Sequence, residues 1–253
     1  MKEETFNKWF SVFILAGMTI ATCIATGYKL QRAADGQTLW LLLSALGSLM
    51  GVLATVCAAN GWIITFLFGL LDVSIYGFVC AHTWYGGGPG LGQAILHFVY
   101  LVPMQFVGYY QWRRRGAHAS EKVRPRRLSH GQRWLLAGLF IVATAVAYLV
   151  LLRFDRSAAR SFLRVAVLLD AIPLVCNVLG QFLMSTAFME QWILWLAVNV
   201  SSIAMWAVAI HDGSSDTGYA TVYIIKYTFY LINAVNGLRI WLRLSRPEER
   251  QGA

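Results

Sequence analysis

Eight apolar runs, each about as long as a bilayer crossing requires, occupy most of this 253-residue chain. They lie at Trp9–Thr26, Thr38–Ala58, Trp62–Ala81, Leu91–Trp112, Trp134–Leu152, Phe162–Ser185, Gln191–Ile210 and Tyr219–Leu242, bounded by Gly, Pro, Asn and charged residues. About 20 apolar residues in a helix span the hydrocarbon core. A soluble fold cannot hide so much apolar surface: 58% of residues are hydrophobic, mean hydropathy is +0.56, and only 13% are charged, against about 25% in an ordinary soluble domain. The chain therefore reads as an all-α polytopic membrane protein with eight transmembrane helices. A β-barrel would show alternating segments of roughly ten residues with a polar lumen face, and no such pattern is present. The first run follows Lys2 and Lys8 as a secretory signal would. It continues well past the usual apolar core without an obvious Ala-x-Ala cleavage site, so a retained helix is expected.

The net charge of +9 would suit nucleic acid if it were spread over a surface, but eight of the 21 Lys and Arg residues fall between Arg113 and Arg133. That is one loop between two apolar runs, which marks the cytoplasmic side under the positive-inside rule. No platform of aromatic and basic residues lies outside the runs, so nucleic acid is not an expected partner. With the loop inside, both termini are expected in the cytoplasm, with Arg243, Arg246 and Arg250 in the tail and the Asp212–Asp216 turn outside. Arg153, Arg156 and Arg160 fall on the outer side and oppose this orientation. Cys23, Cys57, Cys80 and Cys176 sit inside apolar runs at no metal-ligand spacing and read as small core residues.

Many carriers are built from repeats with the substrate between them, and the two halves of this chain resemble each other weakly. Trp62-Ile63-Ile64 opens the third run and Trp192-Ile193-Leu194 the seventh, while Gly108-x-x-x-Trp112 closes the fourth and Gly237-x-x-x-Trp241 the eighth. The expected division is an extra N-terminal helix within 1–30, a three-helix bundle at 38–112, a basic cytoplasmic loop at 113–133, a connector helix at 134–152, a second bundle at 162–242 and a cytoplasmic tail at 243–253. One connector crossing gives both bundles the same orientation, a parallel 3+1+3 repeat. Tryptophans recurring in interfacial belts would produce part of this pattern without a duplication.

Polar side chains inside the runs are few: Asp72, His97, Gln105, Asp170, Asn177, Gln181, Asn199, Lys226, Asn233 and Asn236. In hydrocarbon they default either to helix-to-helix hydrogen bonds or to function. Trp192, Trp195 and Asn199 stand at i, i+3 and i+7 and share a helix face, which Ser202 and Trp206 extend. Tyr223, Lys226, Tyr230, Asn233 and Gly237 form a second such face in the last run. Aromatic planes with a few amides and hydroxyls suit a flat ring bearing polar groups. The other reading of Trp192 and Trp195 is an interfacial belt. Pro103 and Pro173 are expected to kink or hinge their helices.

No HExxH motif, P-loop or nucleophile elbow is present, so neither enzymatic chemistry nor ATP-driven transport is expected, and no cofactor or metal is called for. Gly86-Gly87-Gly88-Pro89-Gly90 reads as a flexible connection. Lys226 in the last helix would be the Schiff-base residue of a seven-helix photoreceptor, but the position one turn earlier, where a carboxylate usually stands, is Val222. Lys226 could instead contact substrate or pair with Asp72 or Asp170.

Gln181-Phe182-Leu183-Met184 followed by Glu190-Gln191-Trp192-x-x-Trp195-x-x-x-Asn199, with Tyr230 and Asn233-x-x-Asn236-Gly237-x-x-x-Trp241 in the last run, resembles the Pnu vitamin transporters, and most of all their nicotinamide riboside branch, PnuC. The resemblance covers the second to eighth runs. It implies a core similar to full-length SWEET transporters, a homotrimer in the bacterial cytoplasmic membrane, and facilitated diffusion of an unphosphorylated vitamin that a cytoplasmic kinase then traps. It also implies a substrate site lined by Trp192, Trp195, Asn199, Gln181, Tyr230, Asn233 and Asn236. Gln105, Ser202 and Lys226, from the polar positions within the runs, are possible additional contacts. Sister branches carry thiamine or riboflavin, which remain alternatives, as does a sugar.

Overall fold

The computed structural model describes residues 3–33, 36–86, 91–118, 121–154, 161–211 and 217–246. Lys2, Gly87 to Gly90, Arg156, Arg160, Asp212 to Asp216 and Arg250, which figure in the expectations above, lie outside the described residues. The described backbone forms eight helices: α1 (Glu3–Leu30), α2 (Thr38–Ala59), α3 (Thr65–Tyr85), α4 (Leu91–Arg114), α5 (His130–Phe154), α6 (Ser161–Ser185), α7 (Gln191–His211) and α8 (Thr217–Leu244). Seven of them, α1 to α7, are long and apolar enough to cross a membrane. The 28 residues of α8 suffice in length, but Lys226, Asn233, Asn236, Arg239 and Arg243 make it more polar than the rest.

The chain divides into two compact units, Met1–Arg124 with Ser185–Ala187, and Pro125–Met184 with Phe188–Ala253. In the first, α1 buries a stripe of Ser11, Ile14, Met18, Ala21 and Ala25 at helical spacing, while Trp9, Phe13, Ile20 and Ile24 stay exposed. Asn60 fixes its base by donating to Ser11 Oγ at 3.0 Å. Helices α2 and α3 approach closely because Gly47 and Gly51, a small-xxx-small pair, face Ile75 and Asp72. In the second unit, Leu128, Cys176, Leu183, Phe188 and Leu194 form a core on which Leu136 and Phe140 of α5 pack. The rest of α5 exposes Leu135, Leu139, Ile141, Val142, Val146 and Leu149, an apolar surface that water would not tolerate.

One helix boundary differs from the sequence expectation for a physical reason. The third run was expected to open at Trp62, but α3 starts at Thr65. Gly61 adopts φ +75°, its N–H bonds Ala58 O and the Trp62 N–H bonds Cys57 O, a Schellman turn that carries Trp62 out of the helical path. The same turn closes α6, with Ala187 at φ +60° and the Phe188 N–H on Leu183 O at 2.8 Å. In α4, Pro103 offers no N–H to the carbonyl four residues back. The turn before it is wound as a π-helix over Leu96–Leu101. Helix α6 runs through Pro173, whose carbonyl accepts from Asn177 Nδ2 at 2.8 Å.

The basic segment is folded against its own unit. Ser129 and Gln132 form a reciprocal capping box at the start of α5. Arg126 lies 4.0 Å over the Phe188 ring, and its carbonyl accepts from the Met189 N–H. Arg127 donates to Ser245 Oγ and Leu242 O at the end of α8. Glu190, which is buried, accepts on Oε1 from the Leu128 N–H and from Arg133 at 3.0 Å. The cationic segment thus straps the ends of α7 and α8 as well as marking a membrane side.

Candidate functional site

Apart from Gln105, the aromatic and amide side chains singled out for the site in the sequence lie on α6, α7 and α8, all within the second unit. Trp192, one residue into α7, is 1% exposed. Its ring covers Gly237 of α8, where an added Cβ would lie 2.5 to 2.7 Å from three ring carbons. Trp241, one turn beyond Gly237, meets it edge-on at 6.0 Å and 69°. The next turn of α7 places half-buried Trp195 against Gly180 of α6, beside buried Gln181. Its indole N–H donates to Gln191 Oε1 at 3.5 Å. Farther along, Asn199 and Ser202 are buried, and Trp206 stacks on Tyr223 at 4.6 Å.

Helices α7 and α8 are antiparallel in one continuous register. Trp192 meets Gly237, Ser202 is hydrogen-bonded to Tyr227, and Trp206 meets Tyr223. The same register sets Asn199 level with Tyr230 and Trp195 level with Ala234, beside buried Asn233; Asn236 is buried nearer Gly237. The Lys226 ammonium lies 5.8 and 5.9 Å from the Tyr223 and Tyr230 ring centres, a geometry in which a cation is already held by two aromatic faces. Among the described residues, no three His, Cys, Asp or Glu side chains converge as a metal site.

Gln105 belongs to the first unit, where packing of the same kind recurs with one exchange. Both α3 and α7 have 21 residues, and aligning their starts matches Phe66 with Trp192 and Gly69 with Trp195. Phe66 covers Gly108 and meets Trp112 edge-on at 4.9 Å and 85°, as Trp192 does Gly237 and Trp241. The sequence pairing of Trp62 with Trp192 is one helical turn out of register with this packing. At the next level the volumes are swapped. Gly69 faces the Gln105 amide, whereas Trp195 stands level with Ala234. The indole that the second unit presents therefore has no counterpart in the first. Sequence reasoning missed Gly180, Ala234 and Gln191 as parts of this arrangement, and only the GxxxW spacing hinted at the glycine seats.

Residues 41–243 match a family model described as "Nicotinamide mononucleotide transporter". The chain belongs to this family. A relative from Neisseria mucosa named nicotinamide riboside transporter PnuC is 30% identical over 213 residues, which are 83% of this chain and 75% of that one. A Haemophilus influenzae protein of the same name is 29% identical over 248 residues, 96% of this chain and 95% of that one. A solved structure titled as that of the vitamin B3 transporter PnuC superposes with a TM-score of 0.63 at 27% identity, covering 94% of this chain and 92% of the other. The protein is accordingly a multi-pass membrane transporter and not an enzyme.

Proposed function

We propose that this transporter carries nicotinamide riboside into the cell by facilitated diffusion, and that a cytoplasmic kinase traps it as a phosphate. The observation that carries this reading is the α7–α8 register, which sets Trp195 and Asn199 level with Ala234 and Tyr230. Nicotinamide riboside offers a cationic aromatic ring, a carboxamide and ribose hydroxyls. An indole face attracts such a ring by about 0.5–2 kcal/mol, and Asn199, Gln181, Asn233 and Asn236 supply amides for the polar groups. The relatives' names support the riboside, while the family description names the mononucleotide. A phosphate needs a strong cationic partner, and Lys226, the one cation among these site residues, lies over two tyrosine rings.

The assembly proposed with this function is a homotrimer in the bacterial cytoplasmic membrane, both termini inside. Each protomer has eight crossings, one extra helix followed by a SWEET-like parallel 3+1+3 repeat. Recurrence of the aromatic–glycine–Trp packing in each unit supports the repeat. The strapping of cationic residues 126–133 to the ends of α7 and α8 supports placing those ends on the cytoplasmic side.

Calorimetry of the purified protein against nicotinamide riboside, its mononucleotide, thiamine, riboflavin and a hexose tests the substrate. Binding of the riboside with none of the mononucleotide is expected. Tight binding of thiamine or riboflavin in place of the riboside would transfer the protein to a sister branch.

A further inference from the structure

Gln191 is the first residue of α7 and has no exposed surface. Its Oε1 accepts from the Trp195 indole. An indole N–H can only donate, so the amide must turn its oxygen to Trp195 and its NH2 the other way. That Nε2 is buried and makes no hydrogen bond among the described residues, and neither does the Nε1 of its neighbour Trp192. Burying a donor without an acceptor is costly, and such a group in a folded protein points to a strained or functional site. Gln191 stands one turn before Trp195 and two before Asn199, on the face read above as the vitamin site.

Resting on that reading, we infer that Gln191 determines specificity by contact: its side-chain NH2 donates a hydrogen bond to an oxygen of the bound ligand while its carbonyl fixes the Trp195 indole under the ligand's ring. A nucleoside-like cation with a carboxamide or hydroxyl oxygen beyond its ring satisfies the orphaned amide donor at this end of the face. A ligand without an acceptor there leaves it buried and unpaired, so the site discriminates by what it would otherwise strand.

Gln191→Met keeps the shape of the side chain and deletes the donor. The expected result is a loss of nicotinamide riboside affinity of about tenfold or more, with a ligand-free melting midpoint equal to or above that of the wild type, since the stranded donor is gone. The same loss is expected in a Trp195→Phe background, where the indole N–H that Gln191 could merely orient no longer exists. Gln191→Asn, an amide one methylene shorter, is expected to lose affinity as well and gives the binding comparison if the methionine variant does not fold. Affinity within roughly twofold of wild type, or a loss that disappears in the Trp195→Phe background, overturns the inference. Failure of the underlying substrate reading looks different: the wild type then binds thiamine or riboflavin, and the same variants are compared with that vitamin, whose ring nitrogens and oxygens also accept.

Discussion

Trp195→Ala is expected to weaken nicotinamide riboside binding by about tenfold or more, through loss of a ring–cation contact of about 0.5–2 kcal/mol together with the apolar area under the ring. Trp195 is the informative position because it is half-buried against Gly180, so its removal exposes a face without emptying a core. Trp192 would be a poor choice. It is 1% exposed under Gly237 and Trp241, and its deletion would destabilise the fold by about 3–5 kcal/mol and confound any binding result. Asn199→Ala, one helical turn on, is expected to weaken binding by a comparable factor, given about 1–3 kcal/mol for a hydrogen-bonding group left without its partner. Both variants should elute at the oligomeric size of the wild type, and calorimetry gives the affinities. Wild-type affinity in both would show that this face of α7 is not the site.

Gly237→Val should lower the stability of the fold. A Cβ at that position would lie 2.5 Å from Trp192 Cη2, and the indole cannot retreat because Trp241 stands against it and the ring is already enclosed. Overpacking of this kind costs about 1–3 kcal/mol, and a branched side chain falls at the upper end or beyond. The melting midpoint in detergent should drop, and riboside binding should weaken with it as the close approach of α7 and α8 is lost. Gly138→Ala on α5 is the control. An added Cβ there meets nothing within 4 Å, so the midpoint should not fall and the affinity should stay that of the wild type.

Seven of the spans were legible because apolar runs of helical length carry their own signal. For α2 and α7 the agreement is within one residue at either end, since both helices are strongly apolar over their whole length. The start of α3 was misplaced by three residues because the turn at Asn60-Gly61 takes Trp62 out of the helix. Hydropathy counts Trp62 as apolar wherever the backbone takes it. The GxxxW spacings marked packing that recurs in both units, yet matching tryptophan to tryptophan pairs Trp192 with Trp62, whereas the ring seated in the same way is Phe66. What the two units share is a large ring seated on a glycine, a role that Phe66 fills as well as a tryptophan does. Nor could composition show that residues 126–133 strap α7 and α8, since Arg127 to Leu242 and Leu128 to Glu190 are long-range hydrogen bonds. The orphaned amide of Gln191 is a fact of geometry alone.

The central claim is passive carriage of nicotinamide riboside, and uptake of labelled riboside into liposomes reconstituted with the purified protein tests it most directly. With no nucleotide present and no ion gradient, the account predicts that internal riboside rises until it equals the external concentration and stops there, and that enclosing a riboside kinase with ATP drives continued accumulation as the phosphate. Uptake that begins only when a proton or sodium gradient is imposed, or accumulation above the external concentration without any kinase, would contradict it.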